Sequence, residues 1–234
     1  VEFENAWGIS DEDLYNEVIR DADAKFKTHQ LFYDFVMTTS NHRPYTYPAG
    51  RIDIPSGSGR NGAVKYTDYA IGELLKKAST KPWYNNTVFI FIADHCASSA
   101  GKNEIDISKY HIPALIFDAR QHNRQHIEKM CSQIDLYPTL FSLLHWSYTS
   151  TLFGKDVLSD NYHDRIFIGT YQKLGYLAGD TLTILSPLEK VEQYLYNSRS
   201  NSQFPMPVSP QFEKKVISNY QTAYQLFKQH SLKL

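Results

Sequence analysis

Residues 87–93 read Thr-Val-Phe-Ile-Phe-Ile-Ala, and the run stops at Asp94-His95. An unbroken β-branched and aromatic stretch predicts a strand buried on both faces, the kind that parallel sheets use. In open α/β sheets, ligands bind beyond the carboxyl ends of the strands. Asp94 and His95 therefore sit where such a fold places its chemistry. A carboxylate beside an imidazole is a common beginning of a divalent-metal site. The same dipeptide also serves as an ordinary strand-end turn, with Asp capping the next segment and His solvated.

Neighbouring segments repeat the pattern. Residues 96–102 form a loop of mostly small residues, and residues 110–117, Tyr-His-Ile-Pro-Ala-Leu-Ile-Phe, read as a strand entered through His111. Upstream, residues 31–37 form another strand-like run, followed by Thr38-Thr39-Ser40-Asn41-His42-Arg43-Pro44-Tyr45. Strands that stop at, or start from, His-bearing polar loops can converge on one edge of a sheet.

The 234 residues allow one large domain, or a core with a small carboxyl-terminal subdomain. At 42% hydrophobic the chain can build a packed core, and a formal net charge of -1 argues against a nucleic-acid-binding face. The 17 Tyr and 13 Phe belong mostly to core and half-buried strand positions, although exposed Tyr can line a carbohydrate or lipid groove. No stretch has the roughly 20 apolar residues of a membrane span. Two cysteines, Cys96 and Cys131, fit either one bridge or two separate small thiols. Cys96 is a further, weaker candidate for a metal ligand.

Apolar positions 14, 18, 19, 22 and 26 predict a helix over residues 11–27. Ser10 is its expected N-cap, and Asp13 holds the capping-box position. Residues 41–61 form a long Pro- and Gly-rich loop, which is expected to be functional or mobile. A helix over 63–78 then leads to the 88–93 strand, predicting a right-handed parallel crossover from strand 31–37. His122 and His126 are four residues apart, a spacing that can bind metal on a helix, but a solvated polar face is expected there. A helix is expected over 134–146. From residue 165 the texture changes to short strands at 166–171, 174–178, 181–185 and 191–196, with a hairpin turn at Gly179-Asp180. A Ser/Asn/Pro-rich linker over 197–210 leads to a final amphipathic helix.

Ser40-Asn41-His42-Arg43-Pro44-Tyr45, Ala93-Asp94-His95-Cys96 through Lys102, and Tyr110-His111-Ile112-Pro113 together carry a family resemblance. The set resembles the sulfatase-type domain of the lipoteichoic-acid-synthase-like phosphoglycerol and phosphoethanolamine transferases, in the alkaline phosphatase superfamily. The opening 3–13 and the segment 132–140, Ser-Gln-Ile-Asp-Leu-Tyr-Pro-Thr-Leu, are similar to further parts of that domain. The likeness covers roughly residues 1–158.

What the resemblance implies is specific. The fold is α/β, part of a sulfatase/alkaline-phosphatase-like sheet flanked by helices, with a carboxyl-terminal antiparallel meander and terminal helix. Residues 1–158 would be the carboxyl-terminal part of the catalytic core, and 159–234 a small β subdomain plus helix. Asp94, His95 and, more loosely, His111 would bind a divalent ion: Mn or Mg, with Zn favoured by added His nitrogens. His111 is also readable as a strand-entry residue bonded to backbone. His42 would be catalytic, facing the substrate phosphate, and Arg43 and Lys102 would hold phosphate oxygens or be plain surface charges.

The implied parent protein transfers a phosphoglycerol or phosphoethanolamine group from a phospholipid donor to a glycan or lipid acceptor of the cell envelope. It would work through a phospho-Thr or phospho-Ser intermediate whose nucleophile lies upstream of this chain. Thr38, Thr39 and Ser40 are not promoted to that role. The family pattern puts membrane spans further upstream and this portion on the extracytoplasmic or periplasmic side, with no nucleic-acid partner. The chain alone is then expected to be inactive. A sulfatase or phosphodiesterase on the same scaffold, and a non-catalytic metal-binding module, are the competing readings.

Overall fold

A computed structural model describes residues 1–98, 100–121 and 124–232. The chain divides into two compact units, Val1–Phe89 with Phe117–Asn123, and Ile90–Ile116 with Arg124–Leu234. The boundary expected at 158/159 lies inside the second unit. The α/β class is the one expected: helices, two two-stranded sheets, and a five-stranded antiparallel sheet followed by a long helix.

In the first unit, a minimal ribbon of β1 (Glu4–Asn5) and β2 (Gly8–Ile9) precedes α1 (Asp11–Lys27), which has the predicted bounds. Ser10 caps α1 by accepting the Asp13 amide. Asp13 does not close a capping box on the Ser10 amide, because that amide donates to the Phe3 carbonyl. Its carboxylate instead accepts the Glu2 and Phe3 amides at 2.9 and 3.0 Å, fastening the chain ahead of the helix. α2 (Arg60–Ala78) packs beside α1, with Tyr66 donating to Glu12 and Lys77 to Asn16. Tyr47 stacks on Tyr66 at 4.9 Å between centroids and donates to the Ile54 and Pro55 carbonyls, which pins the long 41–61 loop to α2.

Residues 31–37 differ from expectation. They are extended, with exposure alternating residue by residue, yet they form no strand ladder. Leu31, Tyr33, Phe35 and Met37 are 96, 68, 74 and 65% exposed, while the opposite face is tied down by Phe32 against Trp83 and Asp34 against Lys25. The expected parallel crossover from this run is therefore absent among the described residues. The helix and the following strand are both present.

That strand, β3 (Val88–Ile92), pairs with β4 (Ala114–Asp118). The Ala93 amide donates to the Pro113 carbonyl at 3.2 Å, joining the exit of β3 to the entry of β4, so the two run antiparallel. With one partner strand each, neither is buried on both faces, and Ile92 and Leu115 are exposed.

The second unit is built on the sheet β5 (Arg165–Gly169), β6 (Leu174–Ala178), β7 (Thr181–Ser186), β8 (Lys190–Asn197) and β9 (Ser202–Met206), paired in sequence order. The meander is as expected, with Gly179 in the left-handed region at its second hairpin, between β6 and β7. β9 is an addition inside the expected linker. It is an edge strand, the position where Pro205 is tolerated in a ladder. Ile168, Leu177, Leu182 and Ile184 form a core that receives Ile105 and Ile107 from the 101–109 loop. α4 (Pro210–Lys228) covers the sheet with buried Val216, and Tyr220 donates to the Gly175 carbonyl at 2.6 Å.

A short 3-10 turn, Gln133–Asp135, leads into α3 (Leu136–Leu143). Asp135 is buried and holds Arg165 of β5 through two bonds, at 2.8 and 3.1 Å. Tyr162 and the Lys155 amide also donate to its carboxylate. The Arg165 guanidinium loses hydration here, but the Asp135 carboxylate outweighs that loss and raises its pKa further. Removing one member of a buried, hydrogen-bonded pair typically costs about 3–5 kcal/mol, because the other charge is stranded. Arg165→Met should therefore lower unfolding free energy by about that amount in urea titration. A loss under about 1 kcal/mol would show that the pair is not structural.

Candidate functional site

The sequence-predicted site residues fall in both units. His42 and Arg43 belong to the first. There the loop is positioned by Asp11, whose fully buried carboxylate accepts the Ser40 amide at 3.0 Å and the Thr39 amide at 3.3 Å. Ser40 Oγ in turn accepts the Asp11 amide at 3.1 Å, and Thr67 of α2 donates to the second carboxylate oxygen. The reciprocal bonds fix the backbone just ahead of Asn41-His42. The exposed His42 ring stacks on Trp7, with centroids 3.9 Å apart, and the Trp7 indole N–H donates to the Arg43 carbonyl. Sequence reasoning assigned neither Asp11 nor Trp7 to the site. Acids at 11–13 read as first-turn residues suited to the helix dipole, and only a contact far along the chain reveals Asp11's second task.

The second unit brings together Asp94, His95 and the backbone of His111. Antiparallel pairing of β3 and β4 returns the chain to the edge it left, so His111 lies beside the strand exit. Its carbonyl accepts Cys96 Sγ at 3.2 Å. Asp94 Oδ1 accepts the His95 amide at 2.8 Å, and Asp94 Oδ2 lies 3.5 Å from His95 Nε2, so the two side chains face the same way. His95 Nδ1 is 2.7 Å from the Cys96 carbonyl. A carbonyl only accepts, so Nδ1 carries the proton in neutral imidazole and the Nε2 lone pair is left open beside the carboxylate. Metal-binding histidines are commonly oriented this way, by a carbonyl on the far nitrogen.

This donor pair fits a divalent ion in its chemistry: one carboxylate oxygen, one imidazole nitrogen, both exposed, adjacent and correctly oriented. The fit is partial. Among the described residues no group of three or more His, Cys, Asp or Glu side chains is arranged to hold a metal ion. Cys96 and Cys131 are both free thiols, and burial pushes the Cys131 thiol up. His126 is exposed and outside any helix, while His122 and Ser99 lie outside the described residues.

Lys102 is placed differently from a free phosphate ligand. Its ammonium donates to the Ser200 carbonyl at 2.8 Å, and its amide donates to Asp106 at 2.9 Å. Asp106 also receives Asn201 and Ser108, both at 2.7 Å, so the β8–β9 turn clamps the loop that joins His95 to His111.

The family model for sulfatases matches residues 2–146, more than half of the chain. The chain belongs to the sulfatase family. Among curated proteins, phosphoglycerol transferase I of Xanthomonas campestris is 24% identical over 164 residues, covering 67% of this chain and 23% of its own length. Lipoteichoic acid synthase of Staphylococcus saprophyticus is 24% identical over 229 residues, covering 89% of this chain and 33% of its own. A solved Vibrio parahaemolyticus protein of the alkaline phosphatase superfamily superposes with a TM-score of 0.90 at 33% identity, over 99% of this chain and 58% of that one. The chain thus spans a third or less of the two curated relatives' length, and the fold of the alkaline phosphatase superfamily extends over essentially all of it.

The Asp106 clamp yields a pH prediction. Burial pushes its carboxyl up, but the bonds from Asn201, Ser108 and the Lys102 amide outweigh this and leave its pKa below the ordinary value. A carboxyl depressed in the folded state contributes its full stability above the unfolded pKa, about 4, and loses it as pH falls through the lower folded pKa. Asp106→Asn should therefore reduce melting temperature at neutral pH and flatten its decline on acidification. A melting series from neutral to acid pH checks this, and parallel curves for the two proteins would refute it.

Proposed function

We propose that the protein to which this chain belongs is a metal-dependent phosphotransferase of the cell envelope. It moves a phosphoglycerol or phosphoethanolamine group from a phospholipid to a hydroxyl of a glycan or lipid. The observation that carries this reading is the strand-exit pair, with Asp94 Oδ2 and an open His95 Nε2 side by side, in a family whose curated relatives are named phosphoglycerol transferase and lipoteichoic acid synthase.

In this reading a Thr or Ser hydroxyl outside residues 1–234 attacks the donor phosphorus, and the bond to the diacylglycerol oxygen breaks. The acceptor hydroxyl then displaces the enzyme oxygen and regenerates it. A divalent ion held by Asp94 and His95, with His111 at the same edge, would supply Lewis-acid polarisation of a phosphoryl oxygen. His42 gives a hydrogen bond to the phosphoryl group or a proton to the departing oxygen. The Asp11–Ser40 bonds and the Trp7 stack hold its loop in place beforehand, so little reorganisation is needed at reaction. Arg43 is the proposed partner of phosphate oxygens from the same loop. No helix among the described residues is long and apolar enough to cross a membrane. Anchoring would fall to upstream spans, with this portion extracytoplasmic.

The test is the full-length protein on phosphatidylglycerol vesicles with added Mn2+. Diacylglycerol should be released, and Asp94→Ala should abolish release. His42→Ala should slow it by about 10²–10³-fold, the usual cost of one preorganised donor. Release of free glycerol phosphate without transfer to an acceptor would make it a hydrolase instead. Residues 1–234 alone should not cleave a chromogenic phosphodiester with Mn2+. Turnover by that chain, lost in Asp94→Ala, would show that the nucleophile lies within it.

A further inference from the structure

We infer that Gln133 is a positioning residue for the Asp94-His95 pair. The inference rests on the metal reading for its consequence but not for its geometry. Gln133 stands on the 3-10 turn ahead of α3, and its side-chain Nε2 donates to two successive carbonyls of the β3 exit, Ala93 at 3.1 Å and Asp94 at 3.0 Å. A carboxamide NH2 has two hydrogens, so one side chain serves both acceptors. Those carbonyls belong to the two peptide planes that flank the Asp94 Cα. Holding both fixes the Asp94 backbone from behind, while in front its carboxylate receives the His95 amide.

The grip has a rigid base. Ser132 and Asp135 cap the turn reciprocally, Ser132 Oγ accepts the Phe167 amide of β5, and Asp135 is locked to Arg165. The second plane held by Gln133 is the Asp94–His95 peptide. Its orientation sets where the His95 ring meets the Cys96 carbonyl, and so which imidazole nitrogen is left open. Gln133 is itself exposed. Water can replace its two hydrogen bonds at little cost in stability, so its contribution is one of orientation.

The experiment uses this chain and two variants, Gln133→Met, which keeps length without donors, and Gln133→Glu, which keeps shape without donors. In metal-free protein, nitrogen NMR of the His95 ring should show one dominant Nδ1–H tautomer, and both variants should show mixed tautomers at an unchanged melting temperature. Mn2+ affinity, read from the free-ion EPR signal, should fall about tenfold in both. An unchanged tautomer in both variants overturns the inference, as does a change that appears only with a lowered melting temperature. Wild-type affinity in Asp94→Ala, or no Mn2+ binding by the unmodified chain, overturns the metal reading alone, and the tautomer still decides on Gln133. Loss of Mn2+ binding in Asp94→Ala with wild-type affinity and tautomer in both Gln133 variants overturns only the role given to Gln133.

Discussion

The buried ion pair of Asp135 and Arg165 is the constraint on which the second unit depends. Two charges taken out of water are tolerated only when each is fully engaged, and here every approach to the carboxylate is occupied. Arg165 bridges both oxygens, the Lys155 amide donates to Oδ1, and the Ser132 amide and Tyr162 hydroxyl donate to Oδ2. Gly154 lets the 153–156 turn wrap this closely, since a Cβ there would fall 1.8 Å from the Ile134 carbonyl oxygen. The pair thus joins the start of α3 to the first strand of the meander, and both to the exit of β3 through Gln133. The meander holds the strand exit through the α3 turn and, through the β8–β9 turn and Asp106, the loop that follows it.

The same economy operates in the first unit with a different device. Asp11 begins a helix and, in the same position, accepts the amides of the Thr39–Ser40 loop. Helix start and catalytic-loop candidate are thereby fixed by one side chain. In both units the residues proposed for chemistry are exposed, and the groups that orient them are buried or bonded to backbone.

How much of this was legible in the sequence follows from the range of the interactions. α1 was readable to the residue because its apolar period and Ser10 cap are local signals. The strand before Asp94 was readable from its composition. β9 was not, since Ser, Asn and Pro mark loops unless an edge position rescues them, and that position is created by β8 alone. The run at 31–37 has the composition of a strand, but a ladder needs a neighbour that the sequence of the run does not specify. Asp11, Gln133 and Arg165 were missed as orienting groups for one reason: each acts on a partner 28 or more residues away. Motif reasoning singled out exposed polar groups at strand and loop ends and passed over the groups that hold their backbone in place.

Pro205 has a bearing on how the molecule can associate. Each sheet edge is a row of unused amides and carbonyls that invites another strand. On the β9 edge a pyrrolidine ring interrupts that row, since it has no N–H to offer. Strand addition on the outer side of β9 is thereby discouraged, and the meander ends with its fifth strand.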